Sequence, residues 1–387
     1  MLFKEVIGLE KLKKELVCGV AKKRIAHAQL FNGPKGSGKL ALAIAYARFI
    51  NCNSPKENDS CQECSSCLQF SKLSHPDFHI LYPVIKTANN NTPQSSDSVY
   101  KWVESVLKNP YLSLNQWSDV YKEEFLEKLS DKKKEATIYS HQIKEINKKL
   151  SLKIFSAKYR VVLIWMPEKM NIQSSNKFLK LLEEPPKKTI LILVSEDKEG
   201  LIKTITSRVQ VTSVKGYTVE ETIAASPHEK TDDFLNFCRL SSGNMGGVFS
   251  YNKESSEEEK TDGFIKLMRT SFSNNFSKIS EWSEHASQKT RQQQIEFLQY
   301  SIDLIRECLI YNYSNNSLSK TTSVEKEFLK KFSQFINEEN SILIFELFES
   351  SIQNIARNAS SKIILFNLSL KLAKLLKLKS TFVKDTN

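Results

Sequence analysis

The sequence has no long apolar run. Its longest, VVLIWM and ILILV, fall far short of the roughly 20 residues that a membrane-spanning helix requires. The opening stretch, MLFKEVIGLEKLKKEL, lacks the apolar core of a secretory signal, so a cytoplasmic protein with no membrane partner is expected. No internal repeat and no basic tail occur. What is present is 387 residues, 40% hydrophobic and 26% charged, which excludes wholesale disorder and suggests two or three domains. The 56 Lys and Arg against 44 Asp and Glu leave a net charge of +12. That excess suits work beside nucleic acid. It suits equally a solvated surface rich in lysine, because the charge is spread along the chain.

Two pattern regimes follow one another. Up to about residue 215 the chain alternates helical and strand patterns. GLEKLKKELVCGVAKK places Leu9, Leu12, Leu16 and Val20 near a 3.6 period, hence a helix. AQLFNGP reads as a short strand, and KLALAIAYARFIN as a helix. Further on, HQIKEINKKLSLK is helical and YRVVLIW a buried strand. IQSSNKFLKLLEEPP is a helix stopped by Pro185 and Pro186. KTILILVSE and RVQVTSV complete a set of short apolar strands of the kind found in parallel sheets. Residues 85–142 interrupt this pattern with TANNNTPQSSDS and the charged YKEEFLEKLSDKKKEAT. They are expected to form a partly mobile surface insertion. After residue 215 the strand patterns vanish and one helical pattern follows another. The acidic stretch NKESSEEEKTDG stands as a joint between two helical modules.

Two motifs carry chemistry. GPKGSGKL, Gly33 to Leu40, follows a strand and opens a helix, which is the context of a phosphate-binding loop. Backbone N–H groups and a helix N-terminus would face the phosphates. Gly33, Gly36, Ser37, Gly38 and Lys39 fit that loop. Leu40 stands where a Ser or Thr hydroxyl would hold Mg²⁺. The second motif is Cys52, Cys61, Cys64 and Cys67, four of the seven cysteines. Four thiolates suit a tetrahedral structural Zn²⁺, and two overlapping C-x₂-C steps let one tight turn offer three of them. The polar loop around them has little core of its own, so a metal would supply its fold. His75 and His79 lie close enough in sequence to be considered and are set aside as ligands.

AHAQLFNGPKGSGK, the four-cysteine module, NKFLKLLEEPP and ITSRVQ occur in one order. Together they resemble the bacterial clamp-loader AAA+ proteins, the gamma/tau and delta-prime subunits of DNA polymerase III. His27, Ala28, Leu30 and Phe31 match the first motif. Asn176, Leu179, Lys180, Leu182, Glu183, Glu184, Pro185 and Pro186 match the third. Ser207 and Arg208 match an S-R-C motif, with Val209 in place of Cys. The resemblance covers residues 1–215 except the insertion. It implies an α/β domain with a RecA-like parallel sheet and a zinc module at 50–70, then an all-helical lid over 216–255 and a helical collar over 256–387.

The resemblance also implies where ATP chemistry should reside, and the expected residues are missing. The strand that should end in acidic metal-binding and catalytic residues ends in Trp165 and Met166, then Pro167 and Glu168. The next strand ends Val194, Ser195, Glu196. In SGNMGG, Gly246 stands near the place of a lid arginine. Phosphoryl transfer rests on placed charge, so no Mg²⁺ site and no hydrolysis in cis are expected, and nucleotide binding is weak or absent. Arg208, supported by Ser207, is implied to act in trans as an arginine finger on a neighbouring subunit. Glu183 and Glu184 are adjacent on a helix, point in different directions, and are assigned to the helix end and a subunit contact.

These readings converge on a delta-prime-like stator within the clamp loader. Its partners would be gamma/tau and delta subunits, with primer-template DNA in the assembled complex and at most weak contact to the sliding clamp. A gamma/tau-type ATPase and a zinc-containing DNA-binding protein are the alternatives.

Overall fold

Four strands follow the runs read above and Phe78–Leu81 adds a fifth: β1 (Ala28–Asn32), β2 (Phe78–Leu81), β3 (Arg160–Trp165), β4 (Thr189–Ser195) and β5 (Gln210–Ser213). In the computed structural model, which describes residues 1–87, 90–126, 134–241, 243–250, 257–289, 291–314, 328, 330–357 and 359–378, they form one parallel sheet in the order β2-β3-β4-β1-β5. β3 and β4 are buried along their whole length. Their unbroken apolar sequences therefore reflect a sheet covered on both faces.

The helices that accompany the sheet are α1 (Glu10–Ala21), α2 (Lys39–Ile50), α3 (Ser65–Ser71), α4 (Val99–Lys108), α5 (Leu114–Phe125), α6 (Ser140–Leu150), α7 (Ile172–Glu183), α8 (Lys203–Thr206) and α9 (Val219–Ala225). Successive strand residues sort to opposite faces, as the pleat requires. Val161, Leu163 and Trp165 pack in one core with α2, while Val162 and Ile164 join Ile143, Ile146, Phe178 and Leu181 in the other. Every residue of α2 is buried, which accounts for its lack of a polar face.

The insertion differs from its expected form. Residues 127–133, within the charged stretch, lie outside the described residues, as do 88 and 89. The rest is not a surface appendage, because Trp102 and Trp117 are fully buried in the main core. Tyr82 stacks on Trp102 at 5.2 Å and meets Trp117 edge-on, and Trp102 meets Trp165 at 6.1 Å. The Trp117 indole N–H donates to the Pro83 carbonyl at 2.9 Å. The average composition is polar, but Trp102 and Val106, and Trp117 and Tyr121, repeat at four-residue spacing. That spacing concentrates apolar area on one face of each helix.

The chain after β5 contains α10 (Asp232–Leu240), α11 (Met245–Phe249), α12 (Glu257–Ser273), α13 (Phe276–Gln288), α14 (Arg291–Ser314), α15 (Glu338–Ala356) and α16 (Ser361–Leu375). Two compact units result. Met1–His228 and Ser241–Ser250 form the α/β unit. Glu229–Leu240 and the described residues beyond 250 form a helical unit. The helical unit has its own core, with Phe264, Trp282, Leu298, Ile344, Phe348 and Leu368 among its buried residues. The acidic joint at 252–263 lies outside the described residues up to 256. No helix among the described residues is long and apolar enough to cross a membrane.

Asp77 ties the start of β2 to the approach of β3. Its carboxylate accepts backbone N–H groups from Phe155, Ser156 and Ala157 at 2.8–2.9 Å. Burial alone would push this carboxyl up, but the three N–H donors outweigh it and hold it below the usual range. A group with a depressed folded pKa contributes stability above its unfolded value, near pH 4, and loses it as pH falls further. Asp77→Ala is therefore expected to cost roughly 3 kcal/mol at neutral pH, since hydrogen bonds to a charged group are worth about 1.5–3 kcal/mol. The gap between variant and wild type should narrow below pH 4. Urea unfolding at several pH values checks both.

Candidate functional site

The glycine loop leaves the C-terminal end of β1, beside the ends of β3 and β4. Asn32 pairs with Ser195, and Trp165 with Val194, so the loop, Trp165 and Glu196 share one edge of the sheet. In open α/β sheets this edge is where ligands bind. Gly36 and Gly38 both hold positive φ, at 67° and 78°. Gly38 is the N-cap of α2. The loop thus keeps the shape its sequence predicts.

Its contents are protein groups. The Lys39 ammonium is buried. It donates to the Pro34 carbonyl at 2.8 Å and lies 3.5 Å from a Glu196 carboxylate oxygen. Burial lowers the Lys39 pKa, and Glu196 opposes that by favouring the charged form. Glu168 accepts the Glu196 backbone N–H at 2.8 Å, and burial raises its own pKa. The loop lysine therefore faces a carboxylate of its own chain where a phosphate would sit. Leu40 is 3% exposed and Trp165 1% exposed, both part of the main core. Neither carries a metal-binding atom.

Pro110, Tyr111 and Leu112 of the insertion complete the walls with Gly36, Ser37, Gly38, Lys39, Leu40, Trp165 and Glu196. About 10 Å³ remains between them. Small-molecule sites measure roughly 300–1,000 Å³. The space in this cleft is far below that range. The polar composition of the insertion gave no sign that Tyr111 and Leu112 would fill it. Nor did the sequence pair Glu196 with Lys39, because only the sheet order sets the end of β4 beside the end of β1.

The cysteine module lies at the far end of α2 from the loop. Cys52, Cys61, Cys64 and Cys67 place their sulfurs within 4.8 Å of one another. The Cys61 and Cys67 sulfurs are 3.8 Å apart, which matches the edge of a tetrahedron with Zn–S bonds of about 2.3 Å. Three sulfurs accept backbone N–H groups: Cys52 from Cys61, Cys61 from Cys64, and Cys64 from Cys67, at 3.2–3.4 Å. The Cys64 N–H lowers the Cys61 thiol pKa, whereas burial raises that of Cys52. Four soft donors in this arrangement fit a structural Zn²⁺. Bound there, the ion would cross-link the end of α2 to the start of α3.

Among the described residues the metal-competent group contains no histidine. The His75 Nδ1 accepts the Asp77 backbone N–H instead. His79 lies in β2, its pKa lowered to about 4 chiefly by burial. None of the seven cysteines forms a disulfide.

Ser207 and Arg208 are not brought to the glycine loop. They immediately precede β5, which runs parallel to β1 with Gln210 beside Gln29 and Ser213 beside Asn32. Arg208 thus sits at the N-terminal edge of the sheet, and the loop at the C-terminal edge. Its guanidinium pairs with Glu183 at 2.9 Å and also donates to the Thr204 carbonyl and the Ser207 hydroxyl. Both partners of the ion pair are more than 40% exposed, so the pair is worth under about 1 kcal/mol. Val209, at the third position of the motif, is buried. Sequence reasoning missed Glu183 as the partner of Arg208, because only the tertiary fold joins the end of α7 to the turn before β5.

A parallel sheet with a glycine loop at its switch edge, a four-cysteine module and a helical C-terminal unit define an AAA+-type α/β protein. A family model described as DNA polymerase III, delta subunit, matches residues 8–218, more than half of the chain, and the chain belongs to that family. It is 28% identical over 183 residues to the delta′ subunit of DNA polymerase III from Pseudomonas aeruginosa, covering 47% of this chain and 41% of that one. It is 26% identical over 209 residues to the delta′ subunit from Bacillus subtilis, covering 54% and 48%. Against the Bacillus subtilis tau subunit it is 24% identical over 208 residues, covering 54% and 28%. The matched region thus spans less than half the length of these curated relatives.

Proposed function

We propose that this chain is a clamp-loader subunit of the delta-prime type. It would be a stator without its own ATPase that supplies Arg208 to the ATP of a neighbouring gamma/tau-type subunit during sliding-clamp loading on primed DNA. The observation that carries this reading is the contrast between the two edges of one sheet. At one edge Lys39 is tied to Glu196 in a filled cleft lined by Leu40 and Trp165. At the other, Arg208 is exposed and held by a weak ion pair. An arginine at the edge opposite its own loop is out of reach of that loop, which supports a role on the site of another chain. Ser207 supports its turn.

The structural zinc would keep the module at 52–71 folded. Residues 256–387, which fall in the helical unit, would form the collar that joins the partner subunits, and residues 216–255 would form the lid. In the assembled complex the net positive charge would face primer-template DNA.

The isolated chain is expected to show no ATP turnover above background, and to raise turnover when mixed with gamma/tau-type and delta-type partners. A coupled phosphate-release assay on both samples tests this. Robust turnover by the isolated chain would reassign it as a motor subunit. Tight, strongly salt-dependent DNA binding by the isolated chain would favour a free-standing DNA-binding protein instead.

A further inference from the structure

The filled cleft bears on more than nucleotide binding. Its occupant also touches the segment that follows α10, on the same compact unit. Tyr111 is 4% exposed. Its ring lies parallel to Phe249 at 5.4 Å and edge-on to Tyr217 at 6.1 Å. Its hydroxyl accepts the Ile7 backbone N–H at 3.0 Å, while the Tyr217 hydroxyl donates to the Ile7 carbonyl at 2.9 Å. One aromatic side chain therefore joins the N-terminal segment, the residues after β5, and α11.

The backbone is as closely fitted. A side-chain carbon added at Gly246 would lie 2.1 Å from the Tyr111 carbonyl oxygen, and one added at Gly36 would lie 2.2 Å from the Asn244 amide oxygen. Only glycine permits either approach. Two amides of the insertion add a polar clamp. The Asn109 side chain donates to the Gly246 carbonyl and the Ser250 hydroxyl at 3.2 and 3.1 Å. The Gln116 side chain donates to the same two atoms at 3.2 and 2.7 Å. Residues 244–250 thus close on both the glycine loop and the insertion, and the cleft between the loop and the insertion retains about 10 Å³.

We propose that Asn109–Leu112 is a built-in ligand of the degenerate phosphate cleft. It fastens residues 241–250 to the sheet permanently, in the way a bound nucleotide would otherwise do reversibly. Tyr111 supplies the bulk and the aromatic stack, Glu196 supplies the negative charge that Lys39 requires, and Asn109 and Gln116 hold α11. The consequence is a subunit whose closed state does not respond to nucleotide. This takes from the proposed function only the loss of the metal ligands, and its test needs no partner subunit.

The test uses the purified full chain, with ATP as the probe, read by hydrogen exchange of peptides covering 241–250. Wild type should exchange identically with and without millimolar ATP. Tyr111→Ala should raise exchange over 241–250 roughly tenfold, the response expected of a locally opened segment. Tyr111→Phe, which keeps the ring, should stay close to wild type. Tyr100→Ala, at an exposed position of the same insertion, should leave 241–250 unchanged. If Tyr111→Ala does not fold, the double variant Asn109→Ala with Gln116→Ala reads the same clasp through its polar arm, with the same direction expected. Unchanged protection of 241–250 in the folded variant, or added protection of wild type by ATP, would overturn the proposal. Loss of partner-stimulated ATP turnover would bear on the clamp-loader reading alone.

Discussion

Arg208→Ala is expected to assemble with its partners as wild type does and to lower the ATP turnover of the assembled complex by two orders of magnitude or more. A finger arginine is worth roughly 10³–10⁵ in rate where it contacts the transferring phosphoryl group. Dilution among several active sites in one complex would reduce the observed loss. The structure separates this effect from a folding defect. Arg208 is exposed and its ion pair with Glu183 joins two exposed groups, so removing it should cost under about 1 kcal/mol of stability. Glu183→Gln removes the same pair and keeps the guanidinium. It should melt like Arg208→Ala yet retain turnover. Arg208→Lys keeps the charge without the planar fork and should recover little. Equal turnover by wild type and Arg208→Ala complexes of matched composition would remove Arg208 from the mechanism.

Metal removal is expected to have the largest effect on stability. The purified chain should contain one equivalent of zinc by elemental analysis. Chelation or Cys67→Ser should lower the melting temperature of the α/β unit by roughly 10 °C, since structural zinc sites contribute many kcal/mol and each kcal/mol shifts a domain of this size by about 2–4 °C. The effect should reach beyond the module. Cys52 follows the end of α2, Cys67 lies within α3, and Phe70 of α3 is buried in the main core against Phe78 of β2. Releasing the sulfurs therefore loosens a helix that packs on the sheet. Because thiolates bind the metal and thiols do not, the same loss should appear on acidification, in parallel with zinc release. A chain purified without zinc that melts at the same temperature with and without chelator would refute the structural metal.

The elements that were legible in the sequence are those written in local patterns. β3 and β4 read as strands because both faces of the sheet are covered there and their residues are almost all apolar. The cysteines read as a metal module because three of them sit within seven residues of a turn. The absence of a hydroxyl at Leu40 and of a carboxylate at Trp165 was legible because the resemblance of the surrounding motifs implies which residues an ATP-hydrolysing relative would carry there. What was not legible depended on long-range contact. Tyr111 lies in a polar stretch whose average hides two amphipathic helices, and its target, Gly246, lies 135 residues further along the chain. The Lys39–Glu196 and Arg208–Glu183 pairs likewise join residues that only the sheet order brings together. Local composition describes a helix face poorly when the apolar residues on it are few and large, as Trp102 and Trp117 are.

The aromatic packing around Trp165 also bears on how this site can change over generations. Its indole is fully buried beside Trp102, which stacks on Tyr82. Restoring an aspartate there would place a carboxylate in that aromatic layer at a cost of several kcal/mol, and would leave a void the size of an indole. Restoring the hydroxyl at Leu40 would remove a buried leucine at roughly 2–5 kcal/mol. Neither change alone would return catalysis, because each supplies one ligand of a metal site that needs both. If the chain is the stator proposed above, every single step toward an active ATPase would therefore pass through a less stable chain with no gain in activity. Under the proposed function, the packing around Trp165 and Leu40 would itself close off gain of an ATPase site by single substitutions while the insertion stays in place.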